Sequence, residues 1–100
     1  MTDYPAHLTA DRRLCILRLL VEAQGSTNES NLEIGLHQLG HRRGITREVI
    51  RADLRWLEEA DLVTTELALG KVLVAELTRR GLNVAKGDDT VPGVKQPSIV

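Results

Sequence analysis

The sequence predicts a mostly α-helical single domain carrying one small antiparallel β-hairpin. Two observations predict it. Residues 45–63 read as a capped amphipathic helix, and just after Asp61 the apolar pattern changes from a period of 3.6 to one near 2. A third limits the core: 42% of the 100 residues are hydrophobic, Phe is absent, and Trp56 and Tyr4 are the only large aromatics, so the interior must be aliphatic. A chain of this length suffices for one domain and is too short for two.

Taken in order, residues 1–8 are expected to be a flexible arm, with Pro5 discouraging regular structure. Thr9 offers an N-cap, Asp11 lies in the first turn, and Leu14, Leu17, Leu20 and Val21 recur at helical spacing, which predicts a helix over 10–23 with Gly25 beyond its end. Cys15 and Ile16 widen its apolar stripe, as in a central core helix or one with a second face for a partner. Ser30-Asn31-Leu32-Glu33 has the form of a capping box and opens a second helix bearing Leu32, Leu36 and Leu39, weakened by Gly35. Gly40-His41-Arg42-Arg43-Gly44 suits a short turn between two helices.

The third helix is expected over 46–60. Thr46 is its N-cap, with Ile45 and Ile50 placed for a hydrophobic staple. Val49, Ile50, Leu54, Trp56, Leu57 and Ala60 share an apolar arc, while Arg47, Arg51 and Arg55 form a stripe beside it. Asp53 falls inside the apolar arc, which means either an arginine partner such as Arg12 or Arg13 or a helical register shifted from the one drawn. Strands over 62–67 and 72–77 with Gly70 near the tip form the hairpin. Thr78 caps a short last helix, 79–86, that stops at Gly87. Residues 88–100 form an extended C-terminal tail, leaving 9–87 as the folded domain. Both faces of strand 72–77 are apolar and need a second cover, either the tail, through Val91, Val94 and Ile99, or another subunit.

The net charge of −1 gives no global attraction to a polyanion. Its distribution is uneven. Residues 41–55 hold five arginines against Glu48 and Asp53, a local +3, whereas residues 1–40 and 56–100 each sum to −2. Such a window suits either a DNA-facing surface or a solvated helix face with internal ion pairs. The scarcity of aromatics argues against a module that stacks unpaired bases. No nucleophile-base-acid set, phosphate loop or carboxylate pair stands out, so no enzymatic activity, catalytic residue or cofactor is expected. His37 and His41 are spaced like metal ligands, with Cys15 and His7 as conceivable partners. Gly40 interrupts the helix between the two histidines, and no metal site is expected. A single cysteine fits a reducing compartment, and without a signal peptide or an apolar run of membrane length the expected location is the cytoplasm of a bacterium or an infected host cell.

The order helix, helix-turn-helix, hairpin, helix over residues 9–87, with Leu57-Glu58-Glu59-Ala60-Asp61-Leu62-Val63 and Leu77-Thr78-Arg79-Arg80-Gly81, resembles winged helix-turn-helix regulators of the ArsR, MarR and PadR type. The Val91-Pro92-Gly93-Val94 tail looks like that of small ArsR-like proteins of Mu-like phages and prophages. Asp61 stands where the regulators usually have glycine, and the vicinal cysteine pair of their metal-sensing members is missing. The resemblance implies a three-helix core with a β wing. It also implies a small transcriptional regulator that places helix 46–60 in the major groove of double-stranded DNA. By resemblance Thr46, Arg47, Glu48 and Arg51 face base edges and Arg55 reaches phosphate, while Arg42, Arg43 and Lys71 supply further contacts. A homodimer through helix 10–23, tail 88–100 or both would go with that role. The wing argues the other way, since Lys71 is its one basic residue. A winged helix used as a phage-related interaction or assembly module, without sequence-specific DNA binding, is the alternative.

Overall fold

A computed structural model describes residues 4–98. It contains four helices and a three-stranded antiparallel sheet, in the order α1 (Tyr4–Glu22), β1 (Ser26–Asn28), α2 (Glu29–Gln38), α3 (Arg47–Glu59), β2 (Val63–Ala68), β3 (Val72–Leu77) and α4 (Arg79–Lys86). Four helices and the hairpin lie in the expected order, with α1 and α2 starting earlier than expected. The first strand is not expected from the sequence, because Ser26-Thr27-Asn28 is polar and too short for apolar alternation to reveal it; pairing with β3 makes it a strand. Ser26 lies opposite Glu76 and Asn28 opposite Val74, and the sheet order is β1-β3-β2.

Helix α1 starts well before residue 10. Pro5 sits in the first turn, where its missing N–H costs nothing. Thr9 is not a cap; its hydroxyl donates to the Pro5 carbonyl inside the helix at 3.0 Å. Of the expected arm, residues 4–8 are therefore helical and residues 1–3 lie outside the described part. The helix ends through Gln24 and Gly25, both at positive φ, with Gly25 N–H donating to the Leu20 carbonyl at 2.7 Å.

Helix α2 begins one residue before the expected capping box. Asn28, rather than Ser30, is the N-cap, its side chain accepting from the Asn31 N–H. Gly35 is useful here despite its low helix propensity: a Cβ at that position would come within 2.6 Å of the Leu19 side chain, so the glycine lets α1 and α2 approach closely. Helix α3 is capped by Thr46, which accepts from the Val49 N–H at 3.2 Å. Asp61 then adopts a left-handed conformation (φ 65°), a backbone that aspartate tolerates better than most residues. Its carbonyl accepts the Thr78 hydroxyl at 2.7 Å.

Strands β2 and β3 pair from Val63 opposite Leu77 to Ala68 opposite Val72, and Leu69 and Gly70 turn the hairpin at positive φ. Thr78 caps α4, and Gly87 ends it in a left-handed conformation. The core joins Ile16, Leu17 and Leu20 of α1, Leu32 and Leu36 of α2, Ile50, Leu54 and Leu57 of α3, and Leu62, Val63, Ala75, Val84 and Ala85. Leu73, Ala75 and Leu77 of β3 face it.

The opposite face of the sheet is not covered by the tail. Val72 and Val74 stay half-buried there among Thr64, Glu66, Glu76 and Ser26, because β3 is the central strand and its polar neighbours supply the outer face. The tail instead closes the side where α1 meets α3: Val91 and Val94 pack on the core, and Lys95 N–H donates to the Ala10 carbonyl. Ile99 lies outside the described residues.

Candidate nucleic-acid interface

Helix α3 is held on both flanks by ion pairs, and these decide which of its cations remain available. On the inner flank Asp53 is buried and accepts from both Arg12 and Arg13 of α1, the partners expected for the helical register as drawn. Arg13 also stacks 3.9 Å from the centroid of the Trp56 ring and donates to the Gly93 carbonyl at 3.2 Å. One guanidinium thus ties α1, α3 and the tail together.

On the other flank lies a clamp that the sequence did not reveal. Glu29 opens α2 and has no exposed surface. Its carboxylate accepts a bidentate pair from Arg51, at 2.6 and 2.7 Å, and the Leu73 N–H at 2.7 Å. The Arg51 fork also donates to the Lys71 carbonyl at 3.1 Å. Three elements, α2, α3 and the hairpin, therefore meet at one carboxylate. The hydrogen bond from Arg51 outweighs burial and holds the Glu29 carboxyl below its ordinary range, while the same bond raises Arg51.

The expected contact residues divide accordingly. Arg51 commits its Nε and Nη2 to the clamp. Thr46 spends its acceptor on the helix cap. Arg42 donates to the His37 carbonyl at the end of α2, at 3.0 Å. Arg47 remains 45% exposed, loosely paired with Glu33 at 3.4 Å and with Glu29 at 4.0 Å. Glu48 is exposed in the first turn. Arg43, Arg55 and Lys71 are exposed and make no ion pair among the described residues. Since the Arg51 fork holds the Lys71 backbone, Lys71 borders α3. Glu58 lies near Arg47 and Arg51 in helical angle but too far along the axis, and binds the Thr65 N–H and hydroxyl instead.

A second group of side chains gathers where α1 passes the turn before α3. His41 lies past the end of α2 and Gly40 (φ 97°), so it parts from His37 and faces α1. Its Nε2 is 2.7 Å from Asp11 Oδ2, and the Cys15 Sγ is 3.9 Å from the same oxygen. Lys95 pairs with the other oxygen of Asp11 at 3.5 Å. Burial pushes the Asp11 carboxyl up, but His41 and Lys95 together outweigh it and leave it below its ordinary value. Burial pushes the Cys15 thiol up, and Asp11 adds to that. His37 is not part of the group; its Nε2 is buried without a hydrogen-bond partner among the described residues. No helix among the described residues is long and apolar enough to cross a membrane.

Fold and site together define a small mixed α/β protein in which a capped, clamped helix presents its outer face between a basic turn and a hairpin. No family model matches the chain. It is 46% identical over 90 residues to the uncharacterized protein gp26 of Escherichia phage Mu, covering 90% of this chain and 91% of that protein. An uncharacterized protein of Haemophilus influenzae is 43% identical over 75 residues, 75% of this chain and 72% of its own. The chain belongs to the family of phage Mu gp26.

Proposed function

We propose that this protein is a winged-helix DNA-binding protein, a small transcriptional regulator that lays the outer face of α3 in the major groove. The observation that carries the reading is the placement of unpaired cations around one helix: Arg43 before it, Arg55 upon it and Lys71 beside it, with the half-free Arg47 in its first turn. The order of helices and strands supports it, as does the resemblance to ArsR-type regulators. A helix of ~10–12 Å diameter fits the groove. In this reading Arg43, Arg55 and Lys71 bind phosphates, and Arg47 with Glu48 faces base edges. Arg51 acts through the clamp, holding the hairpin against α3. A homodimer would set two such helices ~34 Å apart on successive grooves.

The test is fluorescence anisotropy with duplex DNA from upstream of the protein's own gene, across a salt series. Each lost phosphate contact lowers the slope of log K against log salt by ~0.9, so Arg43→Ala/Arg55→Ala should flatten it by about 1.8. Equal slopes and affinities for the two proteins, or no binding at low salt, would overturn the reading.

One observation favours the assembly module as a second reading. Leu67 and Leu69 on the hairpin and Ile34 and Leu39 on and just after α2 are exposed apolar side chains, Leu69 at 96%. A chain that binds no DNA in that assay yet elutes as a large complex carrying Leu67 and Leu69 at its contacts would establish it.

A further inference from the structure

We propose that Asp11, Cys15 and His41 form a binding site for a zinc-class divalent cation. The three side chains come from two separate parts of the chain, α1 and the turn before α3. One ligand atom from each lies within 4.8 Å of the other two. In a tetrahedral zinc site with bonds of ~2.0–2.3 Å, ligand atoms stand roughly 3.4–3.8 Å apart. Cys15 Sγ and Asp11 Oδ2 are already at 3.9 Å, and Asp11 and His41 at 2.7 Å need to open by about 0.7 Å.

The surroundings favour that adjustment. Asp11 and Cys15 are four residues apart on one face of a long helix, so their spacing is set by backbone that the core holds rigidly. The His41 side chain is only 10% exposed and is held in place, while the Asp11 side chain is 35% exposed and can turn. The donor set is thiolate, imidazole and carboxylate, a mixture that suits zinc and its neighbours and not calcium or magnesium. Lys95 pairs with the oxygen of Asp11 that His41 does not use, and its side chain is 54% exposed, so it can withdraw as the cation enters. A hollow of about 380 Å³ lined by His7, Leu8, Ala10, Asp11 and Lys95 reaches the group at Asp11, so solvent has access to that ligand. As the metal binds, the proton shared by Asp11 and His41 Nε2 and the Cys15 thiol proton both leave to solvent, and oxygen–, nitrogen– and sulfur–metal bonds take their place. The ion would tie α1 to the turn carrying Arg42 and Arg43.

The experiment is a titration of the full, untagged chain with Co²⁺, followed by absorption, with Zn²⁺ as competitor. The expected result is saturable binding with a thiolate-to-cobalt charge-transfer band, abolished by Zn²⁺. Cys15→Ser should lose the band, and His41→Asn should weaken binding at least about tenfold, in line with a lost ligand or its support. Should His41→Asn fail to fold by circular dichroism, Cys15→Ser carries the test, since it preserves size. No saturable binding, or a Cys15→Ser spectrum identical to that of the wild type, would overturn the proposal.

Discussion

Replacing Glu29 by Gln removes the charge at the junction of α2, α3 and the hairpin while keeping the side chain's size. The carboxylate accepts three close hydrogen bonds, two from Arg51 and one from the Leu73 N–H, and has no contact with solvent. A carboxamide can accept at only one end; its NH₂ would meet a donor. Disrupting a buried ion pair costs about 3–5 kcal/mol when the partner stays buried and uncompensated. The Arg51 side chain is 30% exposed and can turn partly to water, so a loss of about 2–3 kcal/mol is expected. Against a stability of about 5–15 kcal/mol for a domain of this size, the melting temperature should fall by roughly 8–24 °C.

The pH dependence gives a second readout. The folded pKa of Glu29 is depressed, so its contribution is complete above the ordinary carboxylate range and is lost as pH falls through the folded value. Urea denaturation of both proteins, followed by circular dichroism, should therefore show a wide gap at pH 7 that narrows below about pH 4.5. A gap equally wide at pH 3, or a loss under about 0.5 kcal/mol at pH 7, would refute the clamp.

Two further changes probe the tail and the cap. Gly93 has φ 98°, and a Cβ there would lie 2.5 Å from the Trp56 ring, so Gly93→Ala should lift the tail off Trp56. Emission from the single tryptophan should shift to the red, with a stability loss of about 1–3 kcal/mol; an unchanged spectrum would count against this packing. Thr46→Ala removes the acceptor of the Val49 N–H and should lower stability by about 1 kcal/mol, read from the urea midpoint with unchanged slope. An unmoved midpoint would show that the cap contributes little.

Features set by residues three or four apart are legible in the amino-acid sequence itself. The amphipathic face of α3, the caps at Thr46 and Thr78, the stop at Gly87 and the hairpin turn at Gly70 each depend on local spacing or backbone freedom. Even Asp53 declares its need, because a carboxylate inside an apolar arc must find a cation. The early start of α1 is masked by Pro5, a helix breaker in most positions that here occupies a first turn.

Tertiary structure alone decided how the arginines are used. A helical wheel places Arg47, Arg51 and Arg55 in one equivalent stripe. Only the fold brings a buried carboxylate from 22 residues away to Arg51 and leaves Arg55 in solvent. It likewise sets His41 beside Asp11 and Cys15, and makes a strand of Ser26–Asn28 by supplying β3 as its partner. Periodicity records which face of an element is buried. It carries no record of which polar side chains from distant segments will share that burial, and at this protein's site those pairings separate scaffold from free surface.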